Sequence, residues 1–143
     1  MNPSPQMPPI MLVEDNPMDL DLTLRAFSKK RFGNNILIAR DGEEALNFFP
    51  RWEAGDPVPA VILLDINMPK VSGLEVLRQL KAHERFRRIP VVMLTSSRED
   101  RDLKAAYDLG VNSYIEKPVS FSKFMEVADH IELYWCVLNE RPY

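Results

Sequence analysis

Four short apolar runs, Ile10 to Val13, Ile36 to Ala39, Ala60 to Leu64 and Val91 to Leu94, and a fifth strand-like segment, Val111 to Ile115, punctuate this chain. Each is too short for a helix, and each is bounded by turn residues, the pattern of a buried strand. Helical spacing fills the segments between them. That alternation demands a parallel sheet covered by helices, an α/β fold of five strands and five helices. Nothing repeats along the chain, and its 143 residues suit one domain and are too few for two ordinary ones.

The helix boundaries have local causes. Asn16-Pro17 supplies an N-cap followed by proline at the first helical position, ahead of Leu20, Leu24 and Phe27. Asp41-Gly42 turns into a short helix carrying Ala45, Leu46 and Phe49, which Pro50 is expected to end, leaving 51–59 as a long loop. Leu74, Leu77 and Leu80 share one face of the next helix. Ser96 to Glu99 offers a capping box for another, which stops at Gly110. A last helix is expected over 120–139. Residues 1–8, rich in proline and without a basic segment, read as a disordered lead-in rather than a signal peptide, with the folded domain spanning 9–143.

Bulk properties remove several function classes. A net charge of −3 gives no reason to expect nucleic-acid or membrane binding. The Arg85, Arg87 and Arg88 cluster lacks a reading helix and is expected to be a solvated loop. No stretch is long and apolar enough to span a membrane. One cysteine, Cys136, excludes an internal disulfide framework and suits a reducing compartment, so the cytoplasm is the expected location. His83 and His130 have no metal-ligand spacing and are expected on ordinary helix surface.

The chemistry sits at the ends of the strands. Asp65 follows the run 60–64, Glu14 and Asp15 follow 10–13, Thr95 follows 91–94, and Lys117 follows the run ending at Glu116. Open α/β sheets bind ligands at this carboxyl edge. Singly, each residue has an ordinary explanation as a cap, a loop charge or a strand-end hydroxyl. Jointly they are three acids that repel one another, a hydroxyl and a cation. A hard divalent ion such as Mg²⁺ relieves that repulsion and also neutralises charge on a transferring phosphoryl group. A carboxylate nucleophile at phosphorus would give an aspartyl-phosphate.

At these positions the chain resembles the receiver domain of bacterial response regulators. Val13-Glu14-Asp15-Asn16 is similar to the family's acidic pair, and Leu64 to Pro69 with Ser72-Gly73 to its phosphoacceptor segment. Leu94-Thr95-Ser96 and Glu116-Lys117-Pro118 resemble its hydroxyl and lysine motifs. The resemblance implies a flavodoxin-like, doubly wound sheet of order 2-1-3-4-5, which also brings the strands ending at Asp15, Asp65 and Thr95 near one switch point. It implies Asp65 as acceptor of a phosphoryl group from a sensor histidine kinase. Mg²⁺ would be held by Glu14, Asp15, Asp65 and the backbone carbonyl of Asn67. Lys117 and Thr95 would meet the phosphoryl group, and Tyr114 would be the switch aromatic reporting it to a protein-interaction face. Such a module is a signalling switch rather than an enzyme on external substrates.

Two rival readings remain. A haloacid-dehalogenase-like phosphatase also uses a strand-end aspartate, but resemblance to that group requires a second aspartate where this chain has Asn67, which cannot act as the general acid. A receiver-like scaffold that is never phosphorylated fits poorly with an intact Asp15, Asp65, Thr95 and Lys117. The run Leu133-Tyr134-Trp135-Cys136-Val137-Leu138 would coat every side of a helix, and this surplus of apolar surface suggests a homodimer interface. The Asn67-Met68-Pro69-Lys70 run, the 51–59 loop and the extended last helix resemble small regulators paired with phytochrome-type kinases.

Overall fold

The computed structural model describes residues 8–30, 35–66, 68–95, 100–111, 113–116, 122, 125–126 and 128–129; at 30, 94–95, 100–102 and 113–115 it describes the backbone. Five parallel strands, β1 (Ile10–Val13), β2 (Ile36–Ala39), β3 (Val61–Leu64), β4 (Val91–Thr95) and β5 (Ser113–Glu116), form one sheet in the order β2-β1-β3-β4-β5. This is the expected doubly wound topology. The chain moves outward from β1 to β2, then returns past β1 to β3, so the switch point lies between β1 and β3.

Period-two alternation divides the apolar residues between the two faces. Met11, Val13, Ile62, Leu64 and Met93 point to one face, where they pack with Trp52, Leu77, Leu80 and Phe86. Ile10, Leu12, Val61, Leu63 and Val92 point to the other, against Leu20, Ala26, Phe27 and Ala128. The central strands β1 and β3 are buried along their whole length, whereas edge strand β2 is half-buried except at Ala39.

Helix α1 (Pro17–Lys30) begins as its sequence suggests: the Asn16 side-chain oxygen accepts from the N–H groups of Met18 at 2.9 Å and Asp19 at 3.2 Å. The next helical segment differs from the sequence reading. It is two short helices, α2 (Gly42–Leu46) and α3 (Phe49–Glu53), and Pro50 sits in the first turn of α3 instead of ending α2. Proline fits there because its missing N–H would have no helical partner. The consequence is a buried Trp52, with ring centroids 5.6 Å from Phe49 and 5.3 Å from Phe86.

Helix α4 (Gly73–Ala82) starts on a Ser72 side chain that accepts from the Glu75 N–H at 3.2 Å, and buries Val76, Leu77 and Leu80. His83 is no idle surface residue. Its Nδ1 accepts from the backbone N–H groups of Arg85 and Phe86, and its ring stacks on Phe86. Arg85, Arg87 and Arg88 are all exposed, and Arg85 also donates to the Trp52 carbonyl at 2.7 Å. Helix α5 (Asp100–Asp108) follows β4, and Ser122, Met125, Glu126, Ala128 and Asp129 are helical after β5.

Candidate functional site

Parallel register brings Glu14, Asp15 and Asp65 to one edge of the sheet. Val13 is paired with Leu64, so the residues that follow them, Glu14 and Asp65, emerge side by side. Their backbones remain in the ladder: the Asp65 N–H donates to the Val13 carbonyl at 3.1 Å, and the Glu14 N–H to that of Ala39 at 3.0 Å. Both side chains are nearly enclosed, Glu14 at 3 % exposure and Asp65 at 5 %. One carboxylate oxygen from each of Glu14, Asp15 and Asp65 lies within 4.8 Å of the others, with Asp15 the most open of the three.

Two ionised carboxylates at that separation repel by roughly 3 kcal/mol at an effective dielectric of about 20. The fold offsets part of this: one Glu14 oxygen accepts the Asn16 N–H at 3.2 Å, which also fixes the turn into α1. The donor set is all oxygen, mostly carboxylate, clustered and partly accessible through Asp15, which fits a hard divalent cation rather than a soft metal.

Thr95 ends β4 and is paired with Glu116, the last residue of β5. Tyr114, on edge strand β5, is paired with Met93. Asn67, Lys117 and the interface candidates Leu133, Tyr134, Trp135, Val137 and Leu138 lie outside the described residues.

Sequence reasoning missed the structural supports of this edge. Gly73, at the start of α4, packs directly on the Asp65 peptide: a Cβ there would overlap the Asp65 carbonyl oxygen and come within 2.8 Å of its carbon. Its N–H closes the loop by donating to the Ile66 carbonyl at 2.9 Å. The Ser72-x-x-Glu75 spacing was the available signal for that helix start.

A five-stranded 2-1-3-4-5 sheet with a carboxylate cluster at its switch point is the arrangement of a receiver-type signalling module. The chain belongs to the response regulator receiver domain family, which it matches over residues 10–129. It is 45 % identical over 134 residues to the probable methanogenesis regulatory protein FilR2 of Methanothrix harundinacea, covering 93 % of this chain and 86 % of FilR2. The phosphorylated cyanobacterial phytochrome response regulator RcpA superposes with a TM-score of 0.87 at 35 % identity, covering 96 % of this chain and 99 % of RcpA. The bacteriophytochrome response regulator AtBRR is 48 % identical with a TM-score of 0.74, covering 95 % of this chain and all of AtBRR (100 %). Among the described residues, no helix is long and apolar enough to cross a membrane.

Proposed function

We propose that Asp65 is the phosphoacceptor of a two-component signalling switch, charged from a phosphohistidine on a sensor kinase. The observation that carries this reading is the buried Asp65 carboxylate within 4.8 Å of Glu14 and Asp15 at the carboxyl edge of the sheet. An Asp65 oxygen forms the new bond to phosphorus as the phosphorus–nitrogen bond of the phosphohistidine breaks, and the electron pair returns to the imidazole. Glu14, Asp15, Asp65 and the Asn67 carbonyl would hold Mg²⁺, which when bound neutralises charge on the transferring group. Thr95 donates a hydroxyl hydrogen bond to the phosphoryl group, and Lys117 supplies a fixed positive charge. Tyr114 reports the new contacts to the interaction face as a two-state element.

Incubation with Mg²⁺ and acetyl phosphate, followed by intact mass measurement, tests the assignment. One added phosphoryl group is expected, absent from Asp65→Asn and absent without metal. Failure under conditions that phosphorylate another receiver would overturn it, and sustained turnover of unrelated phosphomonoesters would favour a phosphatase.

The partner kinase is of phytochrome type on this reading, supported by the likeness to RcpA and AtBRR. FilR2, at comparable identity, carries a methanogenesis regulatory name. Phosphotransfer from a bilin-binding histidine kinase, compared with transfer from an unrelated kinase, decides between them. The chain acts as a cytoplasmic homodimer built partly on residues 133–138, a reading supported by their unbroken apolar sequence. Sedimentation of wild type and Trp135→Glu tests the dimer, which is wrong if both are monomers at tens of micromolar.

A further inference from the structure

Between Met68 and Ser72 the chain is held at a second point. Just before Ser72, the Val71 peptide lies against Gly42, the first residue of α2. A methyl on Gly42 would overlap the Val71 carbonyl oxygen and come within 2.8 Å of both its carbonyl carbon and its Cβ. The obstacle is backbone, so it cannot rotate away; the loop itself would have to move.

The same stretch holds a strained turn. The Val71 N–H donates to the Pro69 carbonyl at 2.8 Å around Lys70, whose φ is 65°. A non-glycine residue in a three-residue turn of this hand persists where its surroundings over-determine it. Those surroundings are again the start of α2: the Lys70 ammonium lies 3.7 Å from Asp41 and 3.6 Å from Glu43. Asp41 is meanwhile held by capping α2, accepting the Glu44 N–H at 2.8 Å.

We propose that the N-terminus of α2 is a positioning element for the acidic site, and that Gly42 is its positioning residue. Gly42 acts through Val71: it sets where that peptide can lie, and through Ser72 and Gly73 how α4 packs on the Asp65 peptide, and so how Asp65 is presented to an ion held with Glu14 and Asp15. The inference rests on the proposed metal and phosphoryl site, and it makes α2 a place where substitutions tune that site without altering its ligands.

Calorimetric titration with Mg²⁺ alone tests it, on folded protein verified by circular dichroism. Gly42→Ala is expected to weaken Mg²⁺ binding by about tenfold, the scale of lost supporting contacts around a metal site. Gly55→Ala is the control: its φ of 116° strains alanine, but nothing lies within 4 Å of the added Cβ. It should lose stability and keep its Mg²⁺ affinity. Unchanged affinity in folded Gly42→Ala, or an equal loss in Gly55→Ala, overturns the inference. If Gly42→Ala does not fold, Asp41→Ala decides, because it removes the α2 cap and one of the two Lys70 partners; unchanged affinity there also overturns it. A wild type that binds no Mg²⁺ would instead overturn the site reading, and the inference with it.

Discussion

Gly73 lies against the carbonyl of Asp65 with no space for a side chain, so the first residue of α4 is packed on the peptide of Asp65 itself. The fit is rigid on both sides, because the Gly73 N–H also holds the Ile66 carbonyl at 2.9 Å. Gly73→Ala forces the helix start away from the strand end. Overpacking of this kind costs about 1–3 kcal/mol, and a backbone obstacle places it at the upper end. Urea unfolding should show a lower midpoint with an unchanged slope, and acetyl phosphate labelling of the folded fraction should be slower than wild type.

Trp52 gives the complementary case, a large stability effect away from the chemistry. Its side chain is 1 % exposed and packed between Phe48, Phe49 and Phe86. Trp52→Ala opens a cavity on that face of the sheet, with an expected cost of about 3–5 kcal/mol. The folded fraction should bind Mg²⁺ as wild type does, which calorimetry at low temperature can establish.

The contrast between Gly73 and Trp52 marks what could be read from the sequence. The strands were legible because apolar runs such as Ile10 to Val13 are short, bounded by turn residues and alternate with helical spacing, as buried parallel strands do. Asn16-Pro17 was legible for a local reason too, since a cap and its proline are neighbours. Proline alone is ambiguous, however: it ends a helix from inside and begins one from the first turn, and Pro50 does the second. The Val71 contact on Gly42 and the Arg85 bond to the Trp52 carbonyl join residues 29 (71 − 42) and 33 (85 − 52) apart, and no periodicity encodes such pairs. The three acids could be named from their strand ends, but their convergence depends on the strand order, which is a property of the whole sheet.

Lys81 supplies a pH-dependent test unconnected to the acidic edge. Its ammonium donates to the Arg87 carbonyl at 3.2 Å, and burial lowers its pKa below the ordinary 10.5 because desolvation penalises the charged form. Between the lowered folded value and 10.5 the unfolded chain binds more protons than the native one. Stability therefore rises with pH across that window, and Lys81 is least favourable below it. Lys81→Met removes this slope. Urea midpoints for the two proteins, compared at about pH 7 and about pH 10, should show wild type gaining relative to the variant as pH rises. Parallel curves would show that Lys81 does not titrate as burial requires.

Metal removal and acceptor substitution should act in opposite directions on stability. Without a divalent ion, Glu14, Asp15 and Asp65 hold three carboxylates within 4.8 Å, and Asp65→Asn relieves two of the three repulsions while keeping nearly the same shape. The variant should therefore melt at or above wild type in EDTA. With Mg²⁺ the order reverses, because an ion that binds the native state stabilises it by about 2.7 kcal/mol at 100 times its Kd. Asp65→Asn loses one of the carboxylates that hold the ion and gains less. Thermal melts of both proteins in EDTA and across a Mg²⁺ series test the crossing directly. A wild-type midpoint that does not respond to Mg²⁺ would show that the cluster holds no cation, and that its charges are balanced by the protein alone.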